Sequence, residues 1–238
     1  MAGDRAMARA GAVLFDLDGT LVDSAPDLAG AANELRAEHG LAPLPYERLR
    51  PMASAGARGL LGAAFEVGPG DARFDALRDA FLARYAQRLL RGTRVFDAVA
   101  PVLQVLAGAG LPWGIVTNKA ARFAEPLVQG LGLRAGAAAL VCGDTTPHAK
   151  PHPAPLHEAA RRLGRPPGSC VYVGDDLRDV QAGRAAGMAT LVAGWGYMGQ
   201  GDAAHDWGAD AVLAEPGEIL NWLRDRKSTR LNSSHRIR

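Results

Sequence analysis

A four-residue apolar run, Ala12–Phe15, stops at an aspartate, Asp16. A carboxylate at the end of a buried segment costs free energy unless a cation or hydrogen-bond donors meet it. The fold must therefore bring partners to that point. Similar runs recur at Trp113–Val116, 139–142, 170–173 and 189–192, with a weaker one at Ala211–Leu213. Each is apolar on both faces and is followed by polar or glycine residues. Such runs predict strands of a parallel sheet covered on both faces.

Between the runs, residues 97–109, 120–131, 153–163 and 176–186 carry apolar side chains three and four apart, the spacing of a helix with one buried face. Gly110, Gly132, Gly164 and Gly187 stand where helix C-caps are expected. Alternating strand and helix predicts an α/β fold, a doubly wound parallel sheet with its site at the carboxyl ends of the strands. The interval between the first two runs is too long for one crossover. It holds helical patterns at 27–39, 57–65 and 71–90 and no strand pattern. Residues 23–90 are therefore read as an inserted α-helical domain, with 10–22 and 94–225 forming the core.

Charge narrows the partners. The segment 226–238 holds five of the 27 Lys and Arg residues and no acid, leaving 22 basic against 25 acidic residues, a net −3, in the body. Nothing in that body suggests a nucleic-acid face. The segment itself is read as a non-native or disordered tail. Cys142 and Cys170 each sit in an apolar run, which favours reduced thiols over a disulfide framework. No unbroken apolar stretch is long enough to cross a membrane, and the N-terminus lacks a signal-peptide core. A cytoplasmic protein is the expectation. The oligomeric state is not set by the sequence.

Four constellations carry chemistry, each at a predicted strand end. Asp16-Leu17-Asp18-Gly19-Thr20 places two carboxylates one residue apart before a glycine turn, as a nucleophile, a proton donor and a metal site require. Thr117-Asn118-Lys119 offers a hydroxyl and backbone N–H groups beside a helix N-terminus, suited to an anion, although taken alone the pattern favours an ordinary N-cap. Lys150 lies in a segment stiffened by Pro151 and Pro153, from which it could meet charge developing on a transferred phosphoryl group. Asp175, Asp176 and Asp179 repel one another unless a cation such as Mg²⁺ joins them, though Asp176 could simply complement a helix dipole. His148 and His152 flank Lys150 but lack the companions of a metal site and are read as loop residues.

In this order, from Ala12 to Arg224, the constellations resemble the haloacid dehalogenase superfamily of aspartate-nucleophile phosphatases. The stretch from Asp16 to Pro26, Ser54-Ala55-Gly56-Ala57-Arg58, the stretch from Trp113 to Pro126, Trp195-Gly196-Tyr197 and Trp207-Gly208-Ala209-Asp210 are similar to its phosphoglycolate phosphatase branch. The similarity is greatest to that branch's N-acetylmuramic acid 6-phosphate phosphatases. The resemblance implies that Asp16 attacks phosphorus and that Asp18 is the acid and then the base. It implies Mg²⁺ held by the Asp16 carboxylate, the Asp18 carbonyl and Asp175, with Asp179 in support. Thr117 and the Asn118 backbone would hold the phosphoryl oxygens, and Lys150 would neutralise the nucleophile. The inserted helices would form a cap over a small phosphorylated substrate. A carboxylated substrate would want a cap arginine. Arg58 is the candidate for that role and Arg122 a weaker one. A dehalogenase needs neither Asp18 nor the acids at 175–179. A phosphohexose mutase would keep all four motifs.

Overall fold

Strand β1 (Ala12–Phe15) is buried along its whole length and is the third strand of a six-stranded sheet. The structure, a computed structural model, describes residues 10–199, 201 and 203–233, with backbone alone for 226–233. Sheet order is β5 (Ala139–Val141), β4 (Trp113–Val116), β1, β6 (Cys170–Gly174), β7 (Ala189–Ala193) and β8 (Ala211–Leu213). Every pairing is parallel, so the strands share one carboxyl edge. Strand order reverses direction on either side of β1. That is the topological switch at which doubly wound sheets open a crevice.

The pleat sends alternate β1 side chains to opposite faces. Val13 and Phe15 join a core that includes Leu103, Leu106, Leu127, Val128, Ile219 and Leu223. Ala12 and Leu14 join a second core with Leu156, Ala159, Ala160 and Ala182. Two different sets of helices thus cover the two faces, and β1 is sealed from water on both.

Two strands of two residues each, β2 (Val22–Asp23) and β3 (Arg94–Val95), pair antiparallel. No sequence pattern signals them, because two residues carry no period. Between them lie helices α1 (Ala25–Glu38), α2 (Tyr46–Leu49), α3 (Gly56–Phe65) and α4 (Phe74–Arg88), with a 3₁₀ turn at Arg50–Ala55. The helical unit has its own core of Leu28, Leu35, Leu60, Leu61, Phe81 and Tyr85, joined by Phe123 and Tyr197 from the sheet side. Asp27, fully buried in α1, accepts hydrogen bonds from the Gly92 and Thr93 amides and from Thr93 Oγ1, at 2.8–3.0 Å. This clamps the chain where it returns to β3.

Helices α5 (Val99–Gly108), α6 (Ala121–Gly130), α7 (Ala154–Arg162) and α8 (Leu177–Ala185) lie within the segments their periodicity predicts. The last helix, α9 (Glu218–Ser233), runs past position 226, where the sequence suggested that the fold ends. A helix nucleated on buried Ile219 and Leu223 adds a hydrogen bond for each further residue it orders. The remaining tail, 234–238, lies outside the described residues. No helix among the described residues is long and apolar enough to cross a membrane.

Candidate active site

The carboxyl end of β1 delivers Asp16 into a cluster of charge. The chain then turns at Gly19, whose φ of 81° favours glycine. A Cβ at Gly19 would lie 2.2 Å from Asp175 Oδ2, so glycine also makes room for the neighbouring acid. Asp175 and Asp179 follow β6, the strand beside β1. Ligand oxygens of Asp16, Asp175 and Asp179 all lie within 4.8 Å of one another.

Lys150 reaches the same point from the loop before α7. Its ammonium stands 2.9 Å from Asp16 Oδ1 and 2.6 Å from Asp179 Oδ1, and donates to Val116 O and to the Tyr172 hydroxyl. Asn118 fixes the lysine backbone reciprocally: its Nδ2 donates to Lys150 O and its Oδ1 accepts from Lys150 N, both at 2.9 Å. The Asn118 side chain therefore holds the lysine, while its backbone continues past Thr117 at the end of β4. Thr117 is buried, and its Oγ1 accepts from the Lys119 amide at 3.1 Å.

Electrostatics in this cluster are unbalanced. Burial pushes the Asp16 carboxyl up to about 7, against the pull of Lys150. Burial, followed by the negative charges of Asp16 and Asp179, holds Asp175 well above the usual carboxylate range. Asp16 Oδ1, though ion-paired, receives no well-aligned hydrogen bond. With all three carboxylates ionised, one ammonium would leave an excess of two negative charges. A divalent cation cancels that excess, and an all-oxygen donor set suits a hard ion. The residues present therefore fit a divalent metal ion.

Asp18 faces the other way. Its carboxylate lies 3.1 Å from Lys119 Nζ and accepts a hydrogen bond from Ser24 Oγ. It stays outside the three-carboxylate cluster but shares a cavity with Asp16. Lys119 also donates to Tyr85 Oη of α4 at 2.9 Å. Asp176 caps α8, accepting from the Arg178 amide in a capping box with Asp179, so it serves the helix.

The helical insertion touches the acids directly. Ser54 Oγ donates to Asp175 Oδ2 at 3.1 Å, and Arg178 Nη2 donates to Ser54 O at 2.7 Å. From the β7 side, the Tyr197 amide donates to Asp175 Oδ2 at 2.8 Å. The Tyr197 hydroxyl accepts from the amides of Ser24 and Ala25 at 2.7 and 2.9 Å. Ser24, whose side chain is spent on Asp18, does not cap α1. Tyr197 fills that role from far along the chain.

A cavity of about 340 Å³ opens above Asp16 and Asp18. Ser54, Tyr85, Thr117, Asn118, Lys119 and Arg122 line it, with Leu28, Phe81, Leu82 and Phe123 as its apolar wall. Arg58 is exposed and lines the adjacent groove with Arg48, Asp176 and Arg178 instead. His148 and His152 lie 4.5 Å apart, ring to ring, on the exposed loop before α7. Sequence reasoning gave no role to Ser24, Ser54, Tyr85, Lys119 or Tyr197. Apart from Ser24, six residues from Asp18, their partners are distant in the chain, and no local pattern assigns them a role.

These elements define an α/β enzyme with an acid–lysine cluster at the carboxyl edge of its sheet. Residues 10–187 match the family model for haloacid dehalogenase-like hydrolases. The chain is 42% identical, over 89% of its own length and 94% of the relative's, to the N-acetylmuramic acid 6-phosphate phosphatase of Pseudomonas aeruginosa. It is 45% identical, over 87% of its length and 94% of the relative's, to a phosphoglycolate phosphatase of Xanthomonas campestris pv. campestris. A crystal structure of a predicted phosphoglycolate phosphatase from Haemophilus somnus superposes with a TM-score of 0.79 at 26% identity, covering 90% of this chain and 98% of that one. The chain belongs to the haloacid dehalogenase-like hydrolases.

Proposed function

We propose that this hydrolase is a Mg²⁺-dependent phosphomonoesterase acting on a small carboxylated phosphate ester through a phosphorylated Asp16. The observation that carries the reading is the meeting of Asp16, Asp175 and Asp179 within 4.8 Å, with Lys150 bridging the first and third. The relatives' names, N-acetylmuramic acid 6-phosphate phosphatase and phosphoglycolate phosphatase, support the substrate class, since both esters carry a carboxylate.

The Asp16 and Asp175 carboxylates and the Asp18 carbonyl would hold the Mg²⁺, supported by Asp179. Bound there, the ion would screen the repulsion between an anionic nucleophile and a phosphate. Asp16 attacks phosphorus, and the bond from phosphorus to the ester oxygen breaks as Asp18 gives that oxygen a proton. Thr117 Oγ1 and the Asn118 amide hold the phosphoryl oxygens, and Lys150 balances the charge on Asp16 and the transferred group. In the second step Asp18 takes a proton from water, which attacks the aspartyl-phosphate. Inorganic phosphate leaves and Asp16 is restored. The insertion acts as a cap, with Ser54 and Tyr85 closing the cavity against water.

Assay of 2-phosphoglycolate, N-acetylmuramic acid 6-phosphate and simple sugar phosphates tests the reading. Phosphate release from a carboxylated ester in Mg²⁺, lost with chelator and restored by Mg²⁺, is expected. Release that survives complete chelation would overturn the metal assignment, and no release from any ester would overturn the phosphatase itself.

A further inference from the structure

The ammonium of Lys119 is almost buried, its side chain 8% exposed, yet it lines the cavity above Asp18. An ammonium has three N–H donors. One faces Asp18 Oδ1 at 3.1 Å and one is given to Tyr85 Oη at 2.9 Å. Among the described residues no third acceptor meets it. The Tyr85 hydroxyl accepts that bond, which leaves its own proton without an acceptor among the described residues, and the residue is buried at 1% exposure. A buried donor left unmatched is costly. Here two of them stand 2.9 Å apart on one wall of the same cavity.

Position says which part of a ligand they would meet. In the function proposed above, Asp18 protonates the leaving oxygen. Lys119 touches Asp18 and Tyr85 touches Lys119, which sets both on the leaving-group side. Arg122, exposed and stacked on the Phe123 ring at 4.6 Å, adds a positive charge to the cavity lining. The wall around these groups is apolar, formed by Leu28, Phe81 and Phe123. An anionic oxygen entering such a wall is recognised strongly, because little water competes for the donors.

We propose that Lys119 and Tyr85 form the subsite for a carboxylate carried by the leaving group, and so decide which phosphate esters this enzyme accepts. The inference rests on the phosphatase reading. It assigns the carboxylate partner to the second motif and to α4, instead of to Arg58, which lines the neighbouring groove.

Matched pairs of esters test it: 2-phosphoglycolate against ethyl phosphate, and N-acetylmuramic acid 6-phosphate against N-acetylglucosamine 6-phosphate. The first pair exchanges a carboxylate for a methyl group, and the second removes the lactyl ether that bears the carboxylate. The wild type is expected to prefer the carboxylated member. Lys119→Met is expected to lower kcat/KM on that member at least tenfold more than on its partner. Tyr85→Phe, a milder change, is expected to lower the preference severalfold, mainly through KM. Equal losses on both members would make Lys119 a positioning residue for Asp18 only and overturn the proposal. So would loss of the preference in Arg58→Ala while Lys119→Met keeps it. Phosphate release by the wild type with no carboxylate preference removes this inference, and the carboxylated substrate class with it, but leaves the phosphatase standing. No release from any ester removes the phosphatase reading as well.

Discussion

Ser54 Oγ donates to Asp175 Oδ2 across 121 positions of chain, joining the helical insertion to a carboxylate of the acid cluster. The same serine's carbonyl is held by Arg178, so its hydroxyl and its carbonyl both meet residues that follow β6.

Ser54→Ala tests that link. Asp175 Oδ2 would keep only the Tyr197 amide. A hydrogen bond to a charged group is worth roughly 1.5–3 kcal/mol, so kcat/KM should fall about tenfold. Thermal stability should change little, because the serine is only partly buried. Unaltered kinetics would show that the contact is incidental to turnover.

Asp16→Asn should abolish phosphate release while leaving circular dichroism unchanged. Its pH signature is separate. Burial raises the folded-state value of Asp16 to about 7, from an ordinary carboxylate value of 3.8. Between these values the folded form binds more protons than the unfolded one, so this group's contribution to stability falls as pH rises. Asp175, also raised, acts in the same direction. In chelated protein, the decline in Tm from pH 4 to pH 7 should be steeper for the wild type than for Asp16→Asn. Mg²⁺ should raise Tm more at pH 8 than at pH 5. Parallel Tm profiles for the two proteins would contradict the assignment.

Tyr197→Phe removes the acceptor for the Ser24 and Ala25 amides at the start of α1. Ala25 retains a long contact to Asp23 Oδ1, whereas the Ser24 amide is left buried with no acceptor. A loss of about 1–3 kcal/mol in urea unfolding is expected. A midpoint equal to that of the wild type would show that water or a shifted backbone replaces the phenol.

Lys150→Ala leaves Asp16 and Asp179 facing each other without their shared cation. Activity should be lost, and Lys150→Arg should not restore it. The lysine is 5% exposed and is packed against Val116 O and the Tyr172 hydroxyl, where a longer planar group does not fit. Wild-type rates in the arginine variant would refute that reasoning.

The sheet was legible in the sequence because buried parallel strands are short, apolar on both faces and end abruptly. Val13 and Phe15 on one face, with Ala12 and Leu14 on the other, leave no ambiguity of period. The acids at 16, 175 and 179 stood out for the same reason, as charges where a buried strand stops. Ser54, Tyr85 and Tyr197 did not stand out, because their roles depend on partners in other elements. Lys119 was visible beside Thr117 but acquires a meaning only when α4 brings Tyr85 to it. Arg58 looked well placed by its neighbours in sequence. On α3, however, Leu60, Leu61 and Ala64 turn inward, and Arg58 falls on the exposed side.

The chain enters the helical insertion from β2 and returns through β3, and these two strands are hydrogen-bonded to each other. A loop whose two feet stand side by side can lengthen, shorten or be replaced without altering the spacing of what supports it. Selectivity in such an architecture can drift from one descendant to another while the clustered carboxylates stay in register.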